Sequence, residues 1–299
     1  MKTLLALLLL IPSLSWGDLF NIDDFSCAGE TQNQIASGKA YCEKDKDKYY
    51  LSFSENFIEG LGFIEFNNGS KMLVEYVSNQ WDGYGIISNS EKESWSLGEY
   101  KNNVLNGVVW NIGKNETYNY YYERFSKTIN GERDLNSLVY DVFHPNAGSL
   151  TKIYLLDKEE KCVEEKVGMM MLGHSQNFEF DNINATIGLL DEKCEHNSYG
   201  FQLINGERAA SGKIEDGLVN RMDIWSIDSW VSEMNEFGMN LEMLINDLAI
   251  FKNNAKNDFF EKSKDFGLNN LSTDYFFDKT ALNIYDIYEP FISEYQNNY

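Results

Sequence analysis

Along the first half of the chain, apolar or aromatic residues alternate with polar ones on either side of short polar turns. Trp95-Ser96-Leu97-Gly98-Glu99-Tyr100 leads into a turn at Asn102-Asn103, and Val108-Val109-Trp110-Asn111-Ile112 leads out of it. Period-two alternation interrupted by a polar turn predicts strand, turn, strand. Asn79, Asn102 and Asn103 fall at such turns, where an Asn side chain tolerates left-handed backbone angles. Strand-like segments continue at 150–156, 162–172, 178–180, 183–190 and 199–204, with a charged turn at Asp157-Lys158-Glu159-Glu160 and a hairpin signal at Asn205-Gly206. At Asp223 the period changes. Apolar residues at 227, 230, 231, 234, 237, 241, 244, 245, 248 and 251 follow helical spacing, with Asp223 or Ser226 as the cap and Gly238 as a soft spot. A shorter helix is expected over 255–266, and the aromatic tail from Tyr275 to Tyr295 is expected to pack back on the body.

The strand region also repeats. Gly38, Gly60, Gly83, Gly107 and Gly131 recur at intervals of 22, 23, 24 and 24 residues, each preceded by a polar residue. Eight residues before the last four stand Ser52, Glu75, Glu99 and Glu123, followed by Phe53, Tyr76, Tyr100 and Arg124. Fixed-period self-similarity marks a stacked array, in which each unit makes an incomplete core and completes it against its neighbours. A recurring Gly inside a strand pattern fits a point where two backbones approach closely.

This pattern resembles the MORN repeat, whose signature is roughly Tyr-x-Gly-Glu-aromatic, a turn, then polar-Gly-x-Gly. The Glu-aromatic pair and the polar-Gly step match at 75–85 and 99–107, and in part at 49–62 and 120–131. The leading Tyr remains only as Tyr49 and Tyr120, and the second Gly, present at 62 and 85, becomes Ala40, Val109 and Arg133 elsewhere. The resemblance covers about a third of the chain. It implies a twisted ribbon of stacked antiparallel β-hairpins and a binding or scaffolding role in place of catalysis. The expected organisation is a signal peptide at 1–17, a hairpin-repeat region at 18–145, a smaller β-rich region at 146–222 and a mainly helical region at 223–299. The fold class expected is mainly β with a helical C-terminal region.

Met1-Lys2, the apolar run Leu4 to Ile11 and the small residues before Asp18 read as a cleaved secretory leader, too short to span a bilayer. A secreted or periplasmic location without a lipid anchor follows from that reading. The formal net charge of −22 opposes nucleic-acid backbones and anionic membranes, where Lys and Arg must supply the attraction. Outside the cytoplasm an even cysteine count favours disulfides. Cys27, Cys42, Cys162 and Cys194 form a near pair and a distant pair, and three connectivities are open. A metal site from Cys162, His174, Cys194 and His196 is the competing use of these side chains.

Catalytic signatures are missing: there is no Gly-x-Ser-x-Gly, no His-Glu-x-x-His and no phosphate-cradling loop with Lys. His144, His174 and His196 are scattered over unrelated segments. The sequence therefore points to a non-catalytic binding or scaffold protein that holds an envelope protein or a glycan and needs no cofactor. The expected contact residues are the repeat aromatics Tyr76, Trp81, Tyr84, Trp95, Tyr100 and Trp110. The alternative is an extracytoplasmic hydrolase with a carboxylate pair between residues 150 and 299. Oligomeric state is left open.

Overall fold

The computed structural model describes residues 17–89, 94–115, 120–144, 150–164, 166–172, 184–204, 207–215, 218–220 and 228–255. The leader, His174, the expected helix at 255–266 beyond its first residue, the strand at 178–180 and the aromatic tail lie outside them. The first strands are β1 (Asp18–Ile22), β2 (Phe25–Gln32), β3 (Ile35–Lys44), β4 (Asp47–Ser54), β5 (Phe57–Ile58), β6 (Gly60–Glu65), β7 (Lys71–Val77), β8 (Gln80–Asn89), β9 (Ser94–Lys101) and β10 (Val104–Asn115). Then come β11 (Tyr120–Ile129), β12 (Glu132–Arg133), β13 (Val139–His144), β14 (Leu150–Tyr154), β15 (Val167–Leu172), β16 (Ala185–Leu190), β17 (His196–Ile204), β18 (Glu207–Glu215), β19 (Leu218–Asn220) and, as the one helix among the described residues, α1 (Asp228–Asn254). Seventeen strands form one open antiparallel sheet in which each pairs with the next in sequence. The order continues without interruption across the 145–149 stretch to β19. The two-residue strands β5 and β12 extend β4 and β11 at their turns.

The turns explain the repeat. Asn33-Gln34, Glu55-Asn56, Ser78-Asn79 and Asn102-Asn103 each have positive φ at both positions, the two-residue geometry whose twist matches antiparallel strands. In the last three the second residue is Asn, and it holds the previous hairpin twice. Its N–H donates to the carbonyl of Ala36, Ile58 or Trp81 (3.0, 3.1 and 2.9 Å). Its side-chain Oδ1 accepts from the N–H of that same residue (2.8, 2.6 and 2.8 Å). Asn is thus required for more than its tolerance of left-handed angles. It closes each turn onto its neighbour.

Four residues past each of these turns lies a glycine with positive φ: Gly38, Gly60, Gly83 and Gly107. At Gly38, Gly83 and Gly107 the ladder slips by a bulge, and a side chain there would collide with the carboxylate of Glu30, Glu75 or Glu99, folded over the glycine backbone. Glu30 completes the set one unit earlier than the sequence pattern indicated. The second glycine of the motif has a different task. A Cβ on Gly62 would lie 2.6 Å from the Tyr76 ring, and one on Gly85 2.9 Å from the Tyr100 ring. Where the second glycine is Ala40 the ring position of the next unit holds Phe53, and where it is Val109 it holds Thr128.

Gly131 is out of phase, which corrects the fifth member of the series. It is the second residue of the turn Asn130-Gly131, and its N–H donates to Leu105 O (2.8 Å), the bond made by Asn103, Asn79 and Asn56 one unit earlier. The counterparts of Glu99-Tyr100 are therefore Lys127-Thr128, not Glu123-Arg124. β10 and β11 are longer than the hairpins before them, and the added residues shifted the count.

Both faces of the sheet are buried. One cluster includes Phe63, Leu73, Tyr84, Ile86, Trp110, Phe125, Tyr140, Ile153 and Met169, and α1 packs on it through Phe237, Leu244, Leu248 and Phe251. The Phe251 ring lies 5.8 Å from that of Tyr84. Lys127 bonds Asp247 (2.7 Å), while Lys166 bonds Glu233 and Glu236 (3.0 and 2.9 Å), tying the helix at both ends. The opposite face carries a second cluster from β2 to β9, with Leu51, Phe53, Ile64, Val74, Tyr76 and Tyr100. A third, on that side further along, gathers Val139, Tyr154, Leu156, Cys162 and Leu190.

Cys27 bonds Cys42 directly across β2 and β3, and Cys162 bonds Cys194. The second bridge joins two similar turns in which Asp157 and Asp191 each accept two backbone N–H groups. Cys162→Ser/Cys194→Ser is expected to cost about 2–4 kcal/mol, since the bridge closes a long loop in the unfolded chain. Urea denaturation checks this; an unchanged midpoint would show that the turns hold each other unaided.

Candidate functional site

Four of the six aromatics expected to meet a partner are in the core: Tyr76 and Tyr84 are 5% exposed, Tyr100 7% and Trp110 1%. Burial pushes the Tyr100 phenol up to about 12. Trp81 is half-buried and packs edge-on against Tyr100. Of Trp95 only the backbone is described; it pairs with Ile112 and Ser88. The reason for the correction is that alternation assigns each ring to one of two faces, and both faces are covered. Tyr76, Tyr84, Tyr100 and Trp110 therefore do not present a surface to a partner.

What the array exposes is a row at its turns. The cross-strand pair closing each stacked turn joins one apolar to one polar residue: Ile35 to Gln32, Phe57 to Ser54, Val77 to Gln80, Val104 to Lys101 and Ile129 to Glu132. The apolar members are 40–50% exposed. Their neighbours Ala36, Ile58, Tyr76 and Leu105 face the second cluster, so strand alternation turns the first four toward the helix-bearing face. Ile129 points the same way, in step with Phe125 of the first cluster. Consecutive turns are two strands apart, about 10 Å, but Ile35, Phe57 and Val104 lie on the strand leaving the turn and Val77 and Ile129 on the strand entering it, so the apolar side chains are unevenly spaced along the row. Exposed acids border it, among them Glu55, Glu99 and Glu132.

The row ends at a cleft. Lys127, two residues before Ile129 on β11, opens a cavity of about 220 Å³ between the sheet and α1. Val108, Leu138, Met243 and Leu244 supply apolar walls; Ser126, Asp134, Asn136, Asn240 and Asp247 supply polar atoms. Burial works against the charge on Asp134, yet bonds from Ser137 and Asn136 outweigh it and hold the carboxyl below its ordinary range. Lys127 and Asp247 already neutralise each other across the cleft. Exposed Met239, Met243 and Ile250 continue the apolar surface onto α1.

A buried ionic cluster lies on the other face. Arg124 donates two bonds to Asp141 (both 2.8 Å), which is 1% exposed, and Tyr154 donates its hydroxyl proton to the same carboxylate. Arg124 also reaches Glu160 (2.8 Å), which in turn holds Arg133 (3.1 Å). Burial disfavours the Arg124 charge, but the bonds and charge of Asp141 more than compensate, so its pKa is raised. The cluster locks β11, β13, β14 and the turn at 157–161 together. No pattern in the sequence marks it.

Of the carboxylates described in 150–299, Asp157 and Asp191 cap turns, Glu160 pairs with two arginines, and Glu233, Glu236 and Asp247 pair with lysines. Cys162 and Cys194 are joined to each other and so are not thiolate ligands, which removes two donors from the metal alternative. His196 lies on β17, where burial lowers its pKa. No helix among the described residues is long and apolar enough to cross a membrane. Compared with known proteins, the chain matches no family model and no curated relative.

Proposed function

We propose that this is an extracytoplasmic, non-catalytic scaffold protein whose hairpin array binds another protein along its turn margin. The observation that carries the reading is the row Ile35, Phe57, Val77, Val104 and Ile129, one exposed apolar side chain per stacked turn, all on one face. An apolar row set among acids suits a partner segment with apolar residues and flanking Lys or Arg, and the net charge of −22 favours encounter with a basic surface. Burial of Tyr76, Tyr84, Tyr100 and Trp110 weighs against a glycan, which would stack on exposed rings. The likeness of the units at 75–85 and 99–107 to MORN repeats supports the same class of role, and the two disulfides agree with a location outside the cytoplasm.

Cross-linking in the native host tests the reading. The wild-type chain is expected to capture one recurrent protein at near-equal stoichiometry. Phe57→Asp with Val104→Asp is expected to abolish that capture while shifting the denaturation midpoint much less than a core substitution, because the two side chains are 50% and 40% exposed. Undiminished capture by the double variant would exclude the margin as the binding surface.

A further inference from the structure

We infer that a long basic side chain of the partner, arginine above lysine, fills the cleft between β11 and α1, which rests on the partner being a protein, as proposed above. The cleft continues the apolar row. Strand alternation puts Lys127 on the same face as Ile129, and Val108 stands directly across from Lys127 on β10. From α1, Asn240, Leu244 and Asp247 reach the cleft at helical spacing, from one side of the helix. Asp134 enters just after β12, where its N–H donates to Lys127 O (2.8 Å). At about 220 Å³ the space is smaller than the roughly 300–1,000 Å³ of most organic-ligand sites, and it suits a single side chain.

The charges that line the cleft do not balance. Asp134 and Asp247 stand against Lys127 alone, which leaves one negative charge in excess. Arg133, next to Asp134 in the chain, is held by Glu160 and the Leu156 carbonyl instead. Acceptors are also to spare. Lys127 bonds Asp247 Oδ2 (2.7 Å), and no described group bonds Oδ1. Each Asp134 oxygen takes one bond, from the Asn136 N–H (3.0 Å) or the Ser137 hydroxyl (2.6 Å), which fixes the carboxylate and leaves each oxygen able to accept another. A guanidinium carries its donors on a flat fork that can serve both carboxylates, while its aliphatic stem lies along Val108, Leu138, Met243 and Leu244. An acidic side chain would meet two carboxylates. An apolar one would strip water from Lys127, Asp134, Asn240 and Asp247 and bond none of them.

Titration of the exported chain with N-acetyl-L-arginine methylamide, followed by amide NMR, tests the inference. Resonances of residues 126–138 and 240–247 are expected to shift saturably. The uncharged isostere N-acetyl-L-citrulline methylamide is expected to bind at least about tenfold more weakly. Asp247→Asn is expected to weaken arginine binding about tenfold and Lys127→Gln to strengthen it about tenfold, since they remove charges of opposite sign. Both break the same ion pair, so a merely structural role would move them together, and circular dichroism verifies that they fold. Cross-linked capture of the partner is expected to follow the same opposite shifts. Phe57→Asp with Val104→Asp is expected to bind the arginine probe as the wild type does. No saturable binding, equal binding of the citrulline probe or a parallel response of the two variants overturns the inference. So does probe binding with capture indifferent to both variants, which would make the occupant a free cationic molecule. Capture that survives Phe57→Asp with Val104→Asp but falls with Asp247→Asn would exclude the margin and uphold the cleft.

Discussion

Arg124→Ala is expected to lower the unfolding free energy by about 3–5 kcal/mol, the usual cost of removing one partner from a buried ion pair. Asp141 is 1% exposed and takes both of its strong bonds from Arg124, so the substitution leaves a carboxylate inside the protein with the Tyr154 hydroxyl and the charge of Lys152 on the facing strand as its remaining partners. The arginine is 29% exposed along its side chain and also serves Glu160, so its loss frees the 157–161 turn as well. Replacing both partners by leucine is expected to recover a good part of the loss, since no buried charge then remains. A double-mutant cycle by urea denaturation gives the coupling. Additive losses from Arg124→Ala and Asp141→Ala would show that the two do not depend on each other.

Trp110→Ala is expected to cost a similar amount, about 3–5 kcal/mol. The indole is 1% exposed, stacks on Phe125 with ring centroids 5.4 Å apart and planes 4° apart, and donates its N–H to Glu123 (3.2 Å). Removing it opens a cavity beneath α1, in the cluster that carries Leu244 and Leu248. Phe57→Ala is the matching control. That ring is 50% exposed, so its loss is expected to leave stability within about 0.5 kcal/mol while weakening partner binding. The pair separates core from contact surface within one array. If Trp110→Ala unfolds at the wild-type midpoint, the indole is not a core residue.

Much of the architecture was legible because its causes are local. Two-residue turns need left-handed backbone angles, and Asn56, Asn79 and Asn103 advertise them. Strand alternation at 95–112 and the 3.6-residue spacing after 223 declared the sheet and the helix. The cysteine spacings matched the bridges that form, although other pairings were open. The glycines were visible too, but their count misled at Gly131, because spacing from one glycine to the next cannot separate a turn position from a bulge position once a hairpin lengthens.

The sequence alone determined the hairpin array, its turn chemistry and the change to helix, since each depends on residues close along the chain. The tertiary structure decided which side chains are exposed. An alternating strand assigns Tyr76 to one face and Val77 to the other. Which of these faces stays in water depends on what packs there, and α1 reaches Tyr84 and Trp110 from more than a hundred residues away. The partnership of Arg124, Asp141 and Tyr154 arose in the same way. Three strands brought together across the sheet place those groups in contact, and the energy of a buried charge depends on its neighbours in space.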